Sequence, residues 1–180
     1  LLREAAPPTN DTPAIQLYAA KNEFEPFQIA VRAAAAANVT LTMPAFAPAG
    51  AAAGGPAIDR IELRRVEYVK ITQPSDASSI KSGYIPDPLL PSRFGASESV
   101  PAGQNQPFWI TVYIPEGANP GDYQTTLHVD TGSSSVDIPV KLHVYNFALP
   151  RKIGFDGQWN SSFQALGGSA SLAAVEKLKT

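Results

Sequence analysis

A chain of 180 residues with a formal net charge of −2 is the size of one domain, and such a domain buries roughly 70% of its unfolded surface. The absence of Cys excludes disulfides, thiolate nucleophiles and Cys-ligated zinc. Basic residues cluster no further than Arg64-Arg65, which excludes a nucleic-acid binder, and no apolar run exceeds Ala33 to Ala37, far short of the ~20 residues that span a bilayer.

The opening Leu1-Leu2-Arg3-Glu4 has no Met and no apolar leader core, so the chain reads as a piece of a longer protein. Residues 1–14, rich in Pro, Thr, Asn and Ala, read as an entry linker, with order beginning near Ile15. Phe27, Ile29 and Val31 alternate with Gln28, Ala30 and Arg32, the period of two that marks a half-buried strand. Val39, Leu41 and Met43 repeat the pattern against Thr40 and Thr42, and Pro44 to Pro56 is expected to be a loop.

From Ile58 the apolar positions run Ile61 and Leu63, then shift by one to Val66 and Tyr68, which predicts a bulge around Arg64-Arg65. Gln73 to Pro107 is dense in proline and lacks periodicity, so a long ordered loop with a functional or interfacial role is expected there. Phe108, Ile110, Val112 and Ile114 then share one strand face, with Trp109 and Tyr113 on the other. A strand apolar on both sides is central and covered twice. The second cover is open between the Gln73 to Pro107 segment, a neighbouring domain and a ligand.

Asn119-Pro120-Gly121 turns into Tyr123, Leu127 and Val129, and Gly132-Ser133 turns into Val136, Ile138, Val140, Leu142 and Val144, a predicted hairpin. Gly121-Asp122-Tyr123 at a strand start has the form of a tyrosine corner. Seven or eight strands with no helical period before residue 169 predict an all-β, two-sheet antiparallel β-sandwich of immunoglobulin-like type over residues 15–150. After Pro150 the pattern changes to a short strand, Ile153 to Trp159, then a loop. Ser169 caps a helix carrying Leu172, Val175 and Leu178, so residues 151–180 read as the truncated first unit of an α/β domain.

Catalytic constellations are missing from this pattern. Strand alternation turns both His residues, His128 and His143, outward to solvent, without the buried carboxylate of a Ser-His-Asp triad. No adjacent Asp-Glu pair occurs, and Glu23, Glu25 and Asp87 read as solvated or loop-organising carboxylates. No catalytic residue, metal ligand or cofactor is therefore expected.

Four phrases occur in order: Ala20-Lys21-Asn22-Glu23-Phe24-Glu25-Pro26-Phe27-Gln28-Ile29, Tyr84-Ile85-Pro86-Asp87-Pro88-Leu89-Leu90-Pro91, Gln104-Asn105-Gln106-Pro107-Phe108-Trp109-Ile110-Thr111-Val112 and Pro120-Gly121-Asp122-Tyr123. Together they resemble the N-terminal sandwich domain of glycoside hydrolase family 123. The ending Val144-Tyr145-Asn146-Phe147-Ala148-Leu149-Pro150 resembles the exit into that family's catalytic (β/α)8 barrel. The resemblance implies a secreted or periplasmic bacterial glycosidase, a β-N-acetylgalactosaminidase in characterised members, whose Asp-Glu pair belongs to the barrel. The expected partner is that barrel. Tyr84, Pro86, Asp87, Pro91 and Trp159 are the candidate interdomain contacts: proline stiffens the aperiodic Tyr84 to Pro91 segment, and Trp159 lies in the truncated barrel unit. A carbohydrate-binding module with its own affinity for glycan, and a structural or adhesive cell-surface sandwich, are the competing functions.

Overall fold

The computed structural model of the chain describes residues 2–6, 14–73 and 83–152. Its strands are β1 (Ile15–Lys21), β2 (Glu23–Arg32), β3 (Ala37–Thr42), β4 (Ala47–Ala49), β5 (Ile61–Ile71), β6 (Gly83–Pro91), β7 (Ser97–Val100), β8 (Asn105–Ile114), β9 (Gly121–Asp130) and β10 (Ser135–Ala148), with one turn of 3-10 helix at Gly50–Ala52. The first sheet has the order β1-β10-β9-β3-β7, with β4 also paired to β9; the second has the order β2-β8-β5-β6. Pairing is antiparallel throughout, except that the first strand lies parallel to the last, Ile15 opposite Val140 and Leu17 opposite Leu142. All ten strands belong to one compact unit, Leu1–Pro150.

Alternation decides what is buried. On β8 the even-numbered Phe108, Ile110, Val112 and Ile114 are fully enclosed, and Val140, Leu142 and Val144 of β10 meet them across the core with Tyr123 and Leu127 of β9. Full burial of a side chain of this size contributes about 1.5–3 kcal/mol relative to leaving it exposed. Gly121 opens β9 at φ 130°, and a Cβ there would stand 2.7 Å from the Ala52 backbone nitrogen, so only glycine fits beside the 3-10 turn. Two residues on, the Tyr123 hydroxyl donates to the Asn119 carbonyl at 3.0 Å, completing the predicted tyrosine corner.

Three local expectations change. The described part of the Gln73 to Pro107 segment is not a loop: it supplies edge strand β6 and short strand β7. Pro86, Pro88 and Pro91 hide β6 from a periodicity search, yet an edge strand tolerates residues without N–H groups because one side has no partner. The Pro44 to Pro56 loop likewise contains β4 and the 3-10 turn. The face shift on β5 is real, with Leu63 and Val66 both buried, but β5 continues unbroken through Arg64-Arg65. The register irregularity falls between Val66 and Tyr68, which lie opposite Leu89 and Pro86, so the extra residue sits on β6 around Asp87-Pro88. The short strand at Ile153 to Trp159, the Ser169 cap and its helix lie outside the described residues.

Candidate functional site

The two ends of β8 carry the sandwich's main polar fastenings. At its start, Asn105 is 3% exposed, and its side chain donates to the Leu2 and Ala5 carbonyls at 2.9 Å each, while its backbone N–H donates to the Arg3 carbonyl at 2.7 Å. The Arg3 guanidinium lies over the Tyr84 ring, 3.2 Å from its centroid. Part of the segment expected as a linker is thus fastened to the sheets.

At the other end, Asn22 links β1 to β2 with a left-handed φ of 61°, a conformation Asn tolerates better than other non-glycine residues. Its amide donates to the Leu149 carbonyl at 2.9 Å, its Oδ1 accepts from the Tyr113 hydroxyl at 3.0 Å, and its backbone N–H reaches the Ile114 carbonyl. The Leu149 N–H in turn donates to the Lys21 carbonyl at 2.8 Å, so the residue that follows β10 is held twice. Beside it the Glu23 carboxylate accepts the Ala20 N–H at 2.6 Å, organising the same turn. Glu25 shares the inward face of β2, and burial first, then the neighbouring Glu23 charge, pushes its carboxyl above the usual range.

The outer face of the second sheet carries the second apolar side of β8. Phe24 packs on Tyr113 with ring centroids 4.7 Å apart, Arg60 lies over both rings, and Trp109 donates to Thr111. Trp109 and Tyr113 are half-buried and Phe24 is exposed. The described part of the Gln73 to Pro107 segment does not cover them, because β6 and β7 extend the sheets sideways instead.

The outer face of the first sheet is built as a grid. Strand register places Gln16, Lys141 and Gln124 in one row and Tyr18, His143 and Asp122 in the next. The His143 and Asp122 side chains are joined at 2.7 Å, and His128 and Asp137, opposite each other on the same hairpin, at 2.6 Å. Tyr18, Tyr145 and Phe147 continue along this face as near-parallel rings, with Tyr145 at 6.5 Å from Tyr18 and 6.0 Å from Phe147. An open cleft of about 470 Å³ lies between the two rows and Ala49-Gly50.

These imidazoles face solvent, as strand alternation predicts, and both partner carboxylates are exposed. Neither imidazole bonds a Ser or Thr hydroxyl among the described residues, so neither pair is a triad. Among the described residues no three His, Cys, Asp or Glu side chains gather to hold a metal. The hairpin's own register, set by Asp130 opposite Ser135, fixes both His–Asp pairs and was the available signal for them.

Of the candidate interdomain contacts, Tyr84 lies against Arg3 and opposite Lys70, Pro86 lies opposite Tyr68, and Asp87 sits at the β6 bulge. Pro91, opposite Arg64, lines a cleft of about 390 Å³ with Phe94. All four are on the edge strand farthest from β2, and Tyr84 with Pro86 stands toward the Asn105 end rather than the Leu149 end. The four are therefore held together by one strand but not brought to the chain's exit. Trp159 lies outside the described residues.

A family model for the glycoside hydrolase 123 N-terminal domain matches residues 4–131. The chain belongs to this family. The fold of this family 123 N-terminal domain is similar to that of a family 123 glycoside hydrolase from Clostridium perfringens, solved to detail glycolipid glycan hydrolysis. The TM-score is 0.63 at 20% identity, over 79% of this chain and 24% of that one. The domain thus spans about a quarter of that enzyme's length. Weaker likenesses are to a PapD-like domain of human CEP192 (TM-score 0.34, 12% identity, 81% of this chain and 95% of that one) and to the N-terminal domain of PorA (0.36, 8%, 82% and 98%). No curated protein matches the sequence.

Proposed function

We propose that this domain is the non-catalytic N-terminal part of a secreted or periplasmic bacterial glycoside hydrolase, and that it seats a following (β/α)8 catalytic barrel acting on amino-sugar glycans. Family membership supplies the enzyme class. The observation that carries the seating role is the double hydrogen bond of Leu149 to the Lys21–Asn22 turn. These bonds hold the residue that follows β10 against the β1–β2 turn, a firm base for a chain that continues into another domain. Phe24, Phe147 and Leu149 are exposed at this end of their strands, and apolar side chains left open on a sandwich are the material of an interdomain interface.

Hydrogen exchange on the parent enzyme and on this chain alone tests the reading. Slower exchange in the parent at Lys21 to Phe24 and Tyr145 to Leu149 is the expected result. Slowing along Gly83–Pro91 instead would assign the seat to the β6 edge and its Tyr84, Pro86, Asp87 and Pro91. Identical exchange everywhere, or hydrolysis of an aryl N-acetylgalactosaminide by this chain alone, would overturn it.

A further inference from the structure

The cleft on the outer face of the first sheet adjoins the seat proposed above through the Tyr145 ring, which touches Tyr18 and His143, but its chemistry is different. Its lining combines one exposed aromatic face, Tyr18 at 57%, with a carboxylate, an ammonium, an imidazole and two amides from Asp122, Lys141, His143, Gln16 and Gln124. Each of these side chains stands on a strand interior, so the sheet fixes the spacing of the rows. His143 is held between the Asp122 carboxylate at 2.7 Å and the edge of its contact with Tyr145, whose ring centroid is 5.3 Å away at 75°. Among the described residues, Lys141, Gln16 and Gln124 make no ion pair or side-chain hydrogen bond.

The charges here balance, which disfavours a strongly anionic or cationic ligand. What remains is a surface rich in both donors and acceptors beside an aromatic ring. The negative face of such a ring attracts the polarised C–H groups on one side of a pyranose, while the hydroxyls on the sugar's rim take hydrogen bonds from amides, Lys and Asp. An apolar wall with a few convergent polar groups is the general form of a small-ligand site.

We propose that the cleft bounded by Tyr18, His143, Asp122, Lys141, Gln16 and Gln124 binds a neutral saccharide, giving the domain a glycan-holding site of its own. The ligand class rests on the glycoside hydrolase reading; the geometry rests on the face alone.

The test is a titration of the chain with N-acetylgalactosamine, N,N′-diacetylchitobiose and lactose, followed by amide chemical-shift changes. Saturable shifts for at least one sugar at Tyr18, Asp122, Lys141 and His143 are expected at about millimolar ligand, where binding is worth about 4 kcal/mol. Tyr18→Ala and Lys141→Ala should each weaken binding at least about tenfold. Trp109→Phe, on the other sheet, should leave it unchanged, and a retained shift dispersion shows that each variant is folded. No saturable shift, shifts confined to the second sheet, or binding indifferent to both cleft variants would overturn the proposal. So would loss of the same binding in the full parent enzyme, which would mean that another domain covers the face. The results on the isolated chain leave the seating of the barrel untouched, and hydrogen exchange reads that separately.

Discussion

The two ends of β8 are fastened by the same residue type for different purposes. Asn105 is buried and binds three backbone carbonyls of the entering segment, two of them 103 and 100 positions back along the chain, so it closes the molecule on itself. Asn22 is half-exposed, sits in a left-handed turn and bonds Leu149, a residue 127 positions away. One asparagine fastens the segment that enters the sandwich, the other the residue that follows its last strand.

The largest break in that comparison should come from Asn105→Ala. It strips the partners from carbonyls at a buried point, and a loss of about 1–3 kcal/mol is expected in chemical denaturation. A change confined to fraying of residues 2–6, with an unaltered midpoint, would show that the entering segment is ornamental. Asn22→Ala should cost less, about 1–2 kcal/mol, from forcing Ala to a positive φ and losing the two side-chain bonds. Asn22→Gly restores the backbone freedom and so should recover most of the strain, leaving the Leu149 contact broken. If Ala and Gly melt alike, the turn is not strained.

The smallest effect sharpens the same end. Glu25 has a folded pKa raised above its ordinary value, so its contribution favours folding below about pH 4.5 and is lost as pH rises through the raised value. Glu25→Gln removes that dependence. The variant should melt slightly higher than the wild type at neutral pH, with the gap closing as the solution is acidified past the ordinary carboxylate range. A gap that widens on acidification would mean Glu25 is held by a favourable partner instead.

Residues whose neighbours lie close in sequence were readable in advance. The β9–β10 hairpin, the Tyr123 corner and the buried face of β8 follow from alternation and turn chemistry, which need no knowledge of the far chain. What escaped depends on distant partners. β6 looked like a loop because its prolines remove N–H groups, and only its place at a sheet edge makes that harmless. Asn22 was readable as a turn residue bonding its own backbone, whereas its amide reaches Leu149. Tyr18 carries no local signal, because its ring stands beside His143 only through the parallel pairing of β1 with the distant β10. Alternation alone turns both His residues to solvent, whereas their ordered Asp partners depend on the hairpin register across both strands.

The parallel pairing of β1 with β10 has a mechanical consequence. Tension between the chain ahead of Ile15 and the chain beyond Leu149 pulls these two strands in opposite directions along their shared axis. The hydrogen bonds between them are then loaded side by side and must give way together, instead of parting one at a time as in an unzipped hairpin. A domain tied in this way can bear a tether at either end without its sheets opening first.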